Sequence, residues 1–227
     1  MAESPYTRDN PLRIGVLISG GGSNLQSLLD HCASGFIPGR ISLVISNQAD
    51  AFGLERARRF GVPTKVVPHS DYPDRLSFDR ALISLLNDAQ IELVCLAGFM
   101  RILTGDFVKF FKGRLLNIHP SLLPSFPGLH VQQKALDAGV RFSGATVHYV
   151  DEDVDTGPII IQAVVPILPD DDASTLSARI LKQEHRIYPQ AVRLFAQNRL
   201  QLTDGKVHIL ESKINQEDYL LNPPWEG

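Results

Sequence analysis

Asn117 and His119 stand two residues apart in "LLNIHPSLLPSFPG", at the end of an apolar run. In a strand, residues i and i+2 share a face, so an amide donor and an imidazole face one spot. Pro120, Pro124 and Pro127 then stiffen the exit loop. A rigid loop leaving a strand suits preorganised hydrogen-bond donors. The same two residues also fit a structural pair closing a strand end. Four carboxylates, Asp151, Glu152, Asp153 and Asp155, crowd the connection "VDEDVDTGP". Hard cations take oxygen ligands, but this spacing is not that of a calcium loop. A solvated acidic turn is the ordinary reading. The alternative is that one carboxylate orients and charges His119.

A third stretch, "SGGGSN", runs from Ser19 to Asn24. Three consecutive glycines lose much backbone entropy on folding. They follow an apolar run and open a helical pattern with Leu25, Leu28 and Leu29. A helix N-terminus offers free N–H groups and a partial positive charge. The pattern lacks a P-loop lysine and the spaced dinucleotide glycines. It fits a monophosphate site, or a plain turn in which Ser23 or Asn24 caps the helix. "AGFMRI" (97–102) also leaves an apolar run, and on pattern alone it reads as core packing. His148, like the remaining histidines, shows no metal-ligand spacing.

The elements that must hold these residues alternate. Short apolar runs at 12–18, 41–47, 64–68, 91–98 and 113–119 read as strands, and helical patterns lie between them, at 51–60, 72–89 and 104–111 among others. Strands apolar throughout, alternating with helices, indicate a parallel sheet covered on both faces. Ligands of such sheets bind beyond the carboxyl ends of the strands, where "SGGGSN", "AGFMRI" and "NIHPSLLPSFPG" all emerge. The fold expected is α/β: a Rossmann-like, mostly parallel twisted sheet flanked by helices. Runs at 142–150 and 158–168 predict an antiparallel extension in the C-terminal half. Further helices are predicted over 131–139 and 174–197, and a "DG" hairpin over 200–210.

With 227 residues the chain is long enough for one sizeable core. A net charge of −3 argues against a nucleic-acid surface. No stretch has the apolar length of a membrane helix, and the N-terminal residues carry no signal-peptide pattern. A cytoplasmic protein is expected, with Cys32 and Cys95 as buried free thiols.

Five segments, "ISGGGSNLQSLL", "LAGFMRIL", "LLNIHPSLLPSFPGLH", "GATVHYVDEDVDTGPIIIQ" and "QEHRIYP", together resemble the phosphoribosylglycinamide formyltransferases (glycinamide ribonucleotide transformylases) of the folate-dependent formyltransferase family. "HPSLLP" is common to the wider superfamily, including formyltetrahydrofolate deformylase and methionyl-tRNA formyltransferase, which stand as the alternative. "GGGSN", "FPGLH" and "QEHRIYP" are similar to the ribonucleotide enzyme in particular. Relatives often carry Asn at the position of Gly21, a departure the turn tolerates.

The resemblance implies formyl transfer from 10-formyltetrahydrofolate to the amine of glycinamide ribonucleotide, in purine biosynthesis. The attack is direct, and Asn117 and His119 stabilise the tetrahedral intermediate while Asp155 assists proton transfer. It implies a phosphate contact at Gly22, Ser23 and Asn24, with Pro120 and Glu184 also on the ribonucleotide side. The folate side comprises Arg75, Met100, Arg101, Ile102, Leu103, Asn117, and Asp151, Glu152, Asp153, Val154 and Asp155. No metal, nucleic acid or membrane partner is implied, and the protein is expected as a monomer or homodimer. One formyltransferase domain is expected over 1–227, with a phosphate-binding half at 12–119, a folate-binding half at 120–210 and a tail at 211–227.

Overall fold

The apolar runs of the first half become five strands: β1 (Leu12–Ile18), β2 (Gly39–Ser46), β3 (Thr64–Val66), β4 (Leu93–Leu96) and β5 (Leu115–His119). The computed structural model describes residues 5–7 and 9–211. The five strands pair in parallel in the order β3-β2-β1-β4-β5. Between them run α1 (Ser23–Ala33), α2 (Phe52–Arg59), α3 (Arg75–Asp88) and α4 (Gly105–Phe110). The chain steps outward from β1 to β3, then returns to lay β4 on the other side of β1. That reversal opens a crevice at the carboxyl ends of β1 and β4, the usual ligand position in such sheets.

Each face of the sheet is covered. Ile14, Val16 and Ile18 of β1 enter one core with Leu25 and Leu28 of α1. Leu17 points to the other core, with Phe78, Leu82 and Leu86 of α3 and Phe107 of α4. This alternation is the period-two rule acting on a strand buried on both sides.

The second half adds α5 (Val131–Asp137), β6 (Phe142–Tyr149), β7 (Ile159–Pro166) and α6 (Ala173–Ala196). The antiparallel pairing of β6 with β7 agrees with the sequence pattern. β6 also pairs antiparallel with β5, placing His148 opposite Asn117 and Thr146 opposite His119. A separate hairpin of β8 (Leu200–Thr203) and β9 (Lys206–Ile209) turns through Asp204 and Gly205, at φ 50° and 71°. Two successive positive φ values are the tight-hairpin geometry that the "DG" pair favours.

Helix ends follow their caps. The helix expected from residue 72 begins at Arg75, because the Asp74 side chain accepts the Ser77 N–H at 2.7 Å. His69–Asp71 form a short 3-10 turn before it. α6 starts in a capping box between Asp172 and Thr175. Pro189 lies inside α6 and has no N–H for the His185 carbonyl. The Ser27 hydroxyl donates to that carbonyl at 2.8 Å, tying α1 to α6. Cys95 is buried and Cys32 half-buried, and both are free. Among the described residues no helix is long and apolar enough to cross a membrane. The tail expected at 211–227 lies outside the described residues from 212 onward.

The Tyr188 hydroxyl, fully buried on α6, reaches the carbonyls of Leu96 and Leu116 at 3.0 and 3.1 Å. Its one hydrogen is shared between a carbonyl of β4 and one of β5. Tyr188→Phe should lower unfolding free energy by about 1–2 kcal/mol in urea titration. An unchanged midpoint would contradict this role.

Candidate active site

A cavity of about 610 Å³ opens at the carboxyl ends of β4 and β5. Its walls include Asn117, His119, Pro120 and Arg75, the segment Met100, Arg101, Ile102 and Leu103, and the loop Asp151, Glu152, Asp153, Val154 and Asp155. The structure thus brings together the candidate catalytic residues and the residues assigned to the folate side. Met100 and Ile102 are 64% and 59% exposed, so this stretch is a cavity wall and not the core packing its pattern alone suggests.

The polar centre is built on the β5–β6 pairing. The Asp155 side chain, 11% exposed, points between two imidazoles. Its Oδ2 lies 3.4 Å from His119 Nδ1, and its Oδ1 lies 3.8 Å from His148 Nε2. The Gly128 N–H donates to Oδ2 at 2.9 Å. Asp155 sits at φ 57°, in the left-handed region, which Asp tolerates better than most residues. Gly157 lets the loop turn back, since a Cβ there would lie 1.9 Å from the Tyr149 carbonyl oxygen.

Sequence reasoning passed over His148. Its Nδ1 is 2.8 Å from the Tyr149 carbonyl, which only accepts, so Nδ1 carries the proton. Burial pushes its pKa below the ordinary imidazole value, leaving a neutral ring. Nε2 is then an acceptor and takes the Asn117 Nδ2 hydrogen at 3.2 Å. This fixes the orientation of the Asn117 amide and leaves its second hydrogen for a ligand. The signal that finds His148 is its cross-strand position opposite Asn117, which requires the β5–β6 pairing to be known.

His119 differs from the simple expectation of a free second donor. Its Nε2 is 3.0 Å from the Phe126 carbonyl, and its Nδ1 faces Asp155. Both ring nitrogens face acceptors, so only the doubly protonated ring donates to both.

Gly22, Ser23, Asn24 and Glu184 do not line this cavity. They form a second cluster at the start of α1. Gly22 is the N-cap at φ 69°, and no side chain caps the helix. Of the two readings of this turn, the one in which Ser23 or Asn24 caps α1 is not met. Asn24 Nδ2 instead donates to Glu184 Oε2 at 2.6 Å. Burial raises the Glu184 pKa. The turn is pinned by α2: Gly53 N–H donates to the Gly20 carbonyl at 3.0 Å, and Arg56 Nε to that of Gly21 at 2.9 Å. A Cβ on Gly22 would lie 2.6 Å from the Gly53 Cα, whereas Gly20 and Gly21 have open space. Only the last glycine of the three is dictated by sterics. The uncapped N–H groups of the first turn suit an anion. Among the described residues no cluster of His, Cys, Asp and Glu could hold a metal ion.

Residues 12–192 match the model of the formyl transferase family. The phosphoribosylglycinamide formyltransferase of Escherichia coli K12 is 44% identical over 208 residues, covering 92% of this chain and 98% of that protein. The trifunctional purine biosynthetic protein adenosine-3 of Drosophila pseudoobscura is 56% identical over 191 residues, 83% of this chain. The chain spans only 14% of the length of that relative. A crystal structure of glycinamide ribonucleotide transformylase 1 from Symbiobacterium toebii superposes with a TM-score of 0.87 at 54% identity, covering 88% of this chain and 95% of that one.

A neutral, buried His148 has a consequence for stability. The unfolded chain binds this proton at higher pH than the folded one, so stability is full above the ordinary imidazole range and falls as pH drops through it. Between about pH 7 and 5 the wild-type unfolding midpoint should fall more steeply than that of His148→Gln. Equal slopes would contradict the neutral assignment.

Proposed function

The chain belongs to the formyl transferase family, and from that premise we propose that it transfers a formyl group from 10-formyltetrahydrofolate to the amine of glycinamide ribonucleotide, a step of purine biosynthesis. The observation that carries this reading is the meeting of Asn117, His119 and Asp155 on one wall of a cavity with an apolar rim. Met100, Ile102, Leu129 and Val154 are exposed on that rim, which suits a flat, weakly polar ring. The likeness to phosphoribosylglycinamide formyltransferases supports glycinamide ribonucleotide as the acceptor.

The co-substrate supplies a formyl carbon bonded to its N10 nitrogen. The amine attacks that carbon, a C–N bond forms, and the bond to N10 breaks. One proton leaves the amine and one reaches N10, so atoms and charge balance without a covalent enzyme intermediate. The groups the chain provides fit these needs. Asn117 presents an amide hydrogen, oriented by His148, to the formyl oxygen as negative charge gathers there. His119, when protonated, places positive charge beside that oxygen, and it becomes a second donor by exchanging the Phe126 carbonyl for it. Asp155 orients His119 and accepts the amine proton directly or through a water. Backbone groups of Met100 to Leu103, the 151–155 loop and Arg75 hold the folate. Gly22, Ser23 and Asn24 receive the single phosphate, with Pro120 and Glu184 contacting the remainder of the ribonucleotide.

His119→Ala and Asp155→Asn should each lower the transfer rate by at least about 10²–10³-fold with the circular dichroism spectrum unchanged. Wild-type rates in either variant would sink the mechanism. Tetrahydrofolate should be released from 10-formyltetrahydrofolate only when glycinamide ribonucleotide is added; equal turnover with water alone would make the protein a deformylase. Gly22→Val should raise the KM for the ribonucleotide at least about 10-fold, through the clash with Gly53, and change the folate KM less than about twofold. A parallel rise in both would contradict the division of the two sites.

A further inference from the structure

The two substrate regions meet at Ser19, the residue between β1 and the glycine turn. Its backbone N–H donates to the Gly98 carbonyl at 3.0 Å. Its hydroxyl accepts the Met100 N–H at 2.8 Å and donates to Asn47 Oδ1 at 2.6 Å. Asn47 is 4% exposed, and its Nδ2 lies 3.4 Å from His69 Nδ1. A polar chain thus crosses the carboxyl ends of the strands, from the turn after β3 to the exit of β4. It stitches the crevice where the strand order reverses.

The stitch bears on the folate wall. Residues 97–104 form neither helix nor strand. Met100 cannot be anchored by its own side chain, which stands in solvent at the cavity mouth. Its amide hydrogen is tied to Ser19, and the far end of the wall is tied by Asp79, which accepts from the Thr104 N–H and hydroxyl at 2.6 and 2.7 Å. The Ser19 hydroxyl has one hydrogen, and Asn47 takes it. A lone pair is therefore left aimed at the Met100 N–H. Without the hydroxyl this N–H would be free, and the wall from Met100 to Leu103 could rotate on Gly98, already at φ 74°.

We propose that Ser19 is a positioning residue for the formyl donor: through its hydroxyl it sets the backbone of Met100 to Leu103 against the folate, at a fixed distance from the glycine turn that begins at the next residue. The proposal rests on the folate reading of the cavity. It assigns Ser19 to the folate side although Ser19 adjoins the phosphate turn in sequence. The backbone bonds of Ser19 to Gly98 and of Gly53 to Gly20 survive loss of the hydroxyl, so the turn itself keeps its shape.

The test compares Ser19→Ala with Ser19→Thr, which keeps a hydroxyl. Steady-state kinetics would be measured for both substrates, with anaerobic calorimetry of tetrahydrofolate binding and thermal unfolding alongside. Ser19→Ala should weaken tetrahydrofolate binding and raise the KM for 10-formyltetrahydrofolate about fivefold, the worth of one ordinary hydrogen bond. The ribonucleotide KM should stay within about twofold, and Ser19→Thr should restore the folate values. An unchanged folate KM in Ser19→Ala overturns the proposal. So does a Ser19→Thr variant as impaired as Ser19→Ala, or an equal rise in both KM values with a lowered melting temperature. A wild-type protein that shows no ribonucleotide-dependent transfer overturns the functional reading instead, before any variant is compared.

Discussion

A buried carboxylate, set against His119 and beside the ring of His148, organises the site. Burying the Asp155 charge is costly unless it is hydrogen-bonded and paired. The protein meets that cost with the Gly128 N–H and with His119. The consequences run outward through the fold. The loop must return over the sheet, which needs the left-handed turn at Asp155 and the bare Cα of Gly157. β6 must run antiparallel to β5, so that His148 stands opposite Asn117. The exit loop after β5 must curl back to present the Phe126 carbonyl and the Gly128 amide. The prolines of "HPSLLPSFPG" make that loop stiff enough to hold both.

The parallel half of the sheet does different work. Its reversal between β1 and β4 opens a crevice, and the residues leaving β4 and β5 line the cavity beside it. The glycine turn is shaped from outside by α2, through Gly53 and Arg56, and is left without a side-chain cap. The cap position is Gly22, which has no side chain, and Asn24 within the first turn is held by Glu184 of α6. The first-turn N–H groups therefore stay available, at the expense of local helix stability. The usual side-chain cap is thus left out at this turn.

Much of this was legible in the residues. The near-continuous apolar runs gave the parallel strands, and the "DG" pair gave the β8–β9 turn. The i, i+2 spacing put Asn117 and His119 on one wall. What stayed hidden were long-range pairings. His148 looks like any lone histidine until β6 is known to lie against β5, a contact across about thirty residues that no local period encodes. The Asn24–Glu184 bond spans 160 positions, so no local pattern shows that α6 holds this side chain. The two acceptors facing His119 arise from the exit loop and the acidic loop, neither of which has a periodic pattern. The acidic run marked the right loop but not which of its carboxylates turns inward, because that choice is made by the backbone at Asp155.

His148 is a neutral ring, protonated on Nδ1, whose Nε2 aims the Asn117 amide into the cavity beside Asp155. Nitrogen-15 NMR of the histidine rings near neutral pH tests it most directly. His148 should show a protonated Nδ1 and a bare Nε2, with the Nε2 resonance shifting in Asn117→Ala. A doubly protonated His148, or one protonated on Nε2, would contradict it.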